Sequence, residues 1–155
     1  MDLSDLLGKD AVVAGLKAKS KKQAIQELSA KAAELTGLSE REIFDTLLQR
    51  ERLGSTGVGH GIAIPHGKLT RLGKLVGLFA KLDKPVEFDS LDDEPVDLIF
   101  LLLAPEGAGA DHLKALARIA RQLRDSVVTQ SIRGSSDADE IYGFLTQPLA
   151  SSNAA

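Results

Sequence analysis

The run VDLIFLLLAP at positions 96–105 restricts the fold of this chain more than any other stretch. It is apolar at almost every position, with none of the alternation of a half-exposed strand. A bilayer-spanning helix needs about 20 apolar residues, so this run is too short to cross a membrane. It reads as a strand buried on both faces, the centre of a helix-covered sheet. Other strand signals surround it. Val12, Val13 and Leu16 suggest a short first strand, IAI at 62–64 a second and KLVGLFAKL at 74–82 a third, and VEF at 86–88 is a brief extended piece. Gly77 allows a close approach or bulge.

Helical signals bracket these strands. Ser20 with Gln23 forms a capping-box pattern, followed by Ile25, Leu28, Ala32 and Leu35 at helical spacing, with Gly37 as a stop. Ser39 with Glu42 repeats the pattern, Ile43, Phe44, Leu47 and Leu48 continue it, and Gly54 ends it. After the central strand, Asp111 is the expected N-cap of a helix carrying Leu113, Leu116, Ile119, Ala120 and Leu123. Ser136 with Asp139 marks a last helix with Ile141, Phe144 and Leu145. Two helices, a run of strands and two more helices predict one α/β domain in which helices sandwich a sheet. The 155 residues suit a single domain, and no linker-like segment divides them.

A net charge of −3 and 4% aromatics argue against nucleic-acid binding. With no cysteine, disulfides and thiolate metal sites are excluded. The acidic start MDLSDLLGKDAVV is unlike a signal peptide, so a cytoplasmic location and no membrane insertion are expected.

The chemistry concentrates in GVGHGIAIPHGKL, 57–69, which holds His60 and His66. A nucleotide-binding P-loop does not fit: Ile62 stands where a glycine is required, and Leu69 stands where Ser or Thr binds magnesium. A zinc hydrolase site on His60, His66 and His112 is an alternative, although the spacing of the first two differs from the usual helical pair. The third possibility is a histidine that carries a covalent group. Pro65 stiffens the chain before His66, and Gly67 permits an unusual turn that brings backbone amides near an anion. Arg50, Arg52, Ser55 and Thr56 lie upstream, and His112 lies near a helix start, where anions are favoured. Each has a plainer reading: Arg50 and Arg52 suit the end of a helix dipole, Glu51 reads as a solvated charge, and His60 reads as a loop residue.

The combined string, Glu51, then Val58-Gly59, then IAIPHG, resembles the active-site signature of phosphotransferase-system enzyme IIA domains of the mannitol/fructose class. With RERLGSTGVGHGIAIPHGKL, PVDLIFLLLAP and the later His112-Leu113, it is most similar to the nitrogen-regulatory branch. The resemblance spans residues 1–147, leaving 148–155 as a flexible tail. It implies a mixed sheet flanked by helices on both faces. It also implies that His66 is phosphorylated on Nε2, with Arg50 and His112 contacting the phosphoryl oxygens and Thr56 and Gly67 in support. His60 departs from the pattern, since many relatives carry Asn there. Apolar residues such as Leu53, Ile64 and Leu69 are candidates for the partner surface. No metal, nucleotide or other cofactor is implied.

The expected donor is an HPr-like phosphocarrier of the nitrogen-related (NPr) type. The expected output is a phosphotransferase component that is mainly regulatory, acting on partners such as potassium-transport proteins or sensor kinases. A sugar-uptake enzyme IIA that passes phosphate to a separate IIB protein is the alternative reading of the resemblance.

Overall fold

The computed structural model describes residues 3–148 and is the expected α/β domain, a mixed sheet flanked by helices. All but Pro148 of the proposed tail lies outside the described residues. The strands are β1 (Val12–Leu16), β2 (Gly57–Gly59), β3 (Ile62–Ala63), β4 (His66–Leu69), β5 (Val76–Val86) and β6 (Val96–Pro105). The helices are α1 (Lys21–Thr36), α2 (Glu40–Arg52), α3 (Gly109–Arg124), α4 (Ser126–Arg133) and α5 (Ala138–Thr146).

β6 is the central strand, and residues 98–104 are almost wholly buried, as an unbroken apolar run requires. β5 lies antiparallel along one side of it, and β1 pairs in parallel with β5 at the sheet edge. The other side of β6 is shared in parallel by two short strands, β3 opposite Leu98 and Ile99 and β4 opposite Leu102 to Pro105. β2 folds back antiparallel on β3. Ile64 and Pro65 form the gap between β3 and β4, and that gap positions the site described below. β5 continues to Val86 through an irregular stretch, so the separately expected piece at 86–88 begins as the end of this strand.

Both N-terminal helices start where the capping boxes put them. Ser20 accepts from Gln23 N–H and Ser39 from Glu42 N–H. Gly37 closes α1 at φ 75°, in the left-handed region open to glycine at no steric cost. α1 and α2 pack on each other and reach β5 and β4, while α3 packs on β6 and α5 on β1.

The C-terminal third corrects the sequence reading in two ways. The helix expected from Asp111 begins at Gly109 after an Ala108 N-cap with no side-chain bond, which leaves Asp111 in the first turn. There its charge suits the positive end of the helix dipole without capping it. The final region holds three helices rather than two. α3 stops at Arg124, and the Asp125 carboxylate accepts from the N–H groups of Val127 and Val128 to start α4. The cap of α5 is Asp137, which accepts from Asp139 N–H, and not Ser136. Among the described residues no helix is long and apolar enough to cross a membrane.

Candidate functional site

His66 opens β4, paired with Leu102 of β6. The preceding gap sets its ring. Ile64 N–H donates to Thr56 O at 3.0 Å, Pro65 has no N–H to give, and Pro65 O accepts from Leu102 N–H at 2.9 Å. The Ile64 carbonyl meets Nδ1 of His66 at 2.9 Å. A carbonyl only accepts, so Nδ1 carries a proton, and in the neutral tautomer this bond selects, the lone pair is on Nε2. The acceptor that fixes the tautomer is thus a backbone oxygen two residues away, which no inventory of side chains would reveal.

Gly67 is not the turn residue the sequence suggested. It lies within β4, and a Cβ there would stand 2.8 Å from Cγ2 of Thr46. Its missing side chain lets α2 approach the strand and brings the end of that helix beside His66.

His112 sits in the first turn of α3 and is 7% exposed. Its ring meets that of His66 edge to face, with centroids 5.6 Å apart and planes at 73°. Its Nε2 is buried without a hydrogen-bond partner among the described residues. Desolvation holds its pKa below the ordinary imidazole value, and the nearby charges of His66 and Lys68 push the same way. Burial thus disfavours the charged form of this ring and leaves one of its polar atoms unmatched.

Arg50 and Glu51 are neighbours at the end of α2 with opposite surroundings. Arg50 is half-buried and faces outward, and its Nη1 donates to Gly54 O at 2.8 Å. It lines a cavity of about 480 Å³ together with His66, His112, Lys68, Gln49 and Leu53. Glu51 points inward and is only 7% exposed, not the solvated charge its sequence position suggested. It pairs with Lys21 Nζ at 2.7 Å and accepts from Thr56 N–H at 3.1 Å. The Thr56 hydroxyl also donates to Glu51, and Thr56 is buried. Thr56 therefore anchors the loop after α2 and is not among the residues lining the cavity of His66.

The anchoring runs in steps to the His66 ring: Glu51 holds Thr56 N–H, Thr56 O holds Ile64 N–H, and Ile64 O holds Nδ1. Arg52 lines a different surface with Lys19, Lys21 and Lys22, which separates it from Arg50.

The structure thus brings together Arg50, His66, Gly67 and His112, and adds Lys68, which the sequence reading did not single out. The signal for it was present. Residues i and i+2 of a strand share a face, so Lys68 follows His66 on the same side of β4. Of the apolar candidates, Leu53 stands 85% exposed at the cavity, while Ile64 and Leu69 are core residues.

His60 takes no part in this cavity. It adopts φ 57°, and its N–H donates to Asp92 while its carbonyl accepts from Arg133. The three histidines therefore do not converge, and among the described residues no group of three His, Asp or Glu side chains is placed to hold a metal ion.

Comparison with known proteins finds relatives over nearly the whole chain. Residues 5–147 match the family described as phosphoenolpyruvate-dependent sugar phosphotransferase system, EIIA 2. The chain is 62% identical over 150 residues to a nitrogen regulatory protein of Bradyrhizobium diazoefficiens, covering 97% of this chain and 98% of that one. Its fold is similar to the crystal structure of nitrogen regulatory protein IIA-Ntr from Neisseria meningitidis, with a TM-score of 0.88, 35% identity and coverage of 93% and 99% of the two chains. It is also similar to enzyme IIA-mannitol of Escherichia coli in its complex with phosphorylated enzyme IIB-mannitol, with a TM-score of 0.76, 25% identity and coverage of 90% and 98%.

Proposed function

The chain belongs to the EIIA 2 family of the phosphotransferase system, and from that premise we propose that His66 accepts a phosphoryl group on Nε2 from the phosphohistidine of an HPr-like carrier of the nitrogen-related type. The observation that carries this reading is the Nδ1–Ile64 bond, which leaves Nε2 as the ring nitrogen with a lone pair beside an open cavity. The Nε2 lone pair attacks phosphorus in line as the P–N bond to the carrier histidine breaks, and the carrier imidazole leaves with that electron pair. The proton stays on Nδ1, which donates it to the Ile64 carbonyl in a hydrogen bond throughout. Charge on the equatorial oxygens is met by the Arg50 fork, by Lys68 and by the unpartnered Nε2 of His112, which donates once that ring is protonated there. Positioning and electrostatics carry the reaction.

The phosphotransfer domain is assigned to residues 1–147. Its output is regulatory: the phosphoryl group places negative charge beside exposed Leu53, so free and phosphorylated forms present different docking faces. Potassium-transport proteins and sensor kinases are the expected class of partner. Similarity to a mannitol enzyme IIA solved with phosphorylated IIB supports a second reading, onward transfer to a IIB protein and into sugar.

The test is incubation with phosphorylated carrier. Wild type should gain one acid-labile phosphoryl group and His66→Ala none; labelling of His66→Ala would sink the assignment. Transfer from the labelled protein to a IIB partner would select the second reading.

A further inference from the structure

A cavity of about 640 Å³, separate from that of His66, lies between the β2–β3 hairpin and the α3–α4 junction. Ile62, Ile64 and Leu123 give it an apolar floor, and no acidic side chain lines it. Pockets for small molecules run about 300–1,000 Å³ and combine such a floor with a few fixed polar groups. Two of the polar groups here differ in kind. Arg133 is neutralised by a bidentate pair with Asp97, at 2.8 and 2.9 Å. The guanidinium of Arg124 has no hydrogen bond or ion pair among the described residues. At the rim stands His60 in the left-handed region, which a non-glycine residue adopts at a steric cost. Asp92 grips its N–H at 2.9 Å and Arg133 its carbonyl at 2.8 Å, so the strained turn is held from both sides. A rim held from both sides, an apolar floor and one uncompensated cation thus stand together in this cavity.

We propose that this cavity binds a small organic anion, its apolar body on Ile62, Ile64 and Leu123 and its anionic group on Arg124. The site is distinct from the phosphoryl cavity, and Ile64 links the two: it lines this one, and its carbonyl holds the His66 ring.

The probe is 8-anilinonaphthalene-1-sulfonate, titrated by fluorescence into the full chain, with N-phenyl-1-naphthylamine as the same ring system without charge. Wild type should bind one sulfonate saturably and the uncharged amine about tenfold more weakly, the difference expected of one charge-assisted contact. Arg124→Ala should lose about the same factor, while Arg118→Ala, on an exposed part of the same helix, should lose nothing. Ala120→Trp, which fills the cavity, should abolish binding with the circular dichroism spectrum retained. Should that variant fail to fold, the Arg124 pair and the uncharged probe still decide. Amide shifts on binding should centre on residues 62–64 and 123–129. Non-saturable binding, equal affinity for the amine, full affinity in Arg124→Ala, or shifts centred on His66 and His112 would each overturn the proposal.

Discussion

His60 and His66 share one glycine-rich run, yet the structure holds them by different means. His60 is gripped through its backbone, from Asp92 and Arg133, and its ring makes no hydrogen bond among the described residues. His66 is held through its ring, by a carbonyl of its own strand edge, and its backbone is an ordinary rung of the sheet. A histidine fixed at Nδ1 has a defined reactive nitrogen; a histidine fixed at its amide has only a defined place. Glycine and histidine content alone therefore does not tell the two apart. What does is which atom the fold has committed.

The largest effect should come from breaking the His66 side of this contrast. His66→Ala should remove phosphorylation entirely, whereas His60→Asn should leave its rate unchanged in the same carrier assay. Loss of transfer in both would erase the distinction. Next, Arg50→Ala should slow transfer by about a hundredfold, the usual scale for removing one preorganised charge-stabilising donor, and Arg52→Ala should change it little. Equal effects in single-turnover measurements would place the wrong arginine in the cavity. Glu51→Gln tests whether the anchoring chain matters to the ring. It should cost about 2 kcal/mol in urea unfolding, because Lys21 and Thr56 lose a buried carboxylate.

A smaller effect concerns pH. His112 has a folded pKa below its unfolded value, so between the two the unfolded chain binds a proton that the folded chain refuses. Stability should be intact above the ordinary imidazole value of about 6.5 and should fall as pH drops below it. His112→Gln should flatten that part of the profile. Phosphorylation of His66 should raise the His112 pKa, read by NMR titration, because the phosphoryl group adds negative charge beside that ring. Smallest of all, His60→Asn should leave stability nearly unchanged, since Asn tolerates the left-handed region, while His60→Val should cost about 1–2 kcal/mol.

The parts of the molecule legible in sequence were those whose cause is local. Ser20 and Ser39 name their helix starts because cap and partner lie three residues apart, and 96–105 names the central strand because burial on both faces demands an unbroken apolar run. The break at Asp125 was missed because no glycine or proline marks it, although an Asp before Ser-Val-Val is itself a cap signal. The buried state of Glu51 was illegible because its partner, Lys21, sits on another helix. Arg50, His66 and His112 were read from resemblance to a known signature. Their convergence depends on Gly67 admitting α2, on the placement of α3 and on the Ile64–Pro65 gap, all of which are tertiary facts.

That gap makes the protein its own reporter. The Ile64 carbonyl is bonded to the ring that is proposed to change charge, so its stretching frequency should move with every event at His66. A single carbon-13 label on that carbonyl would give an infrared band that follows occupancy of the imidazole in real time, with no dye, tag or substitution near the docking face.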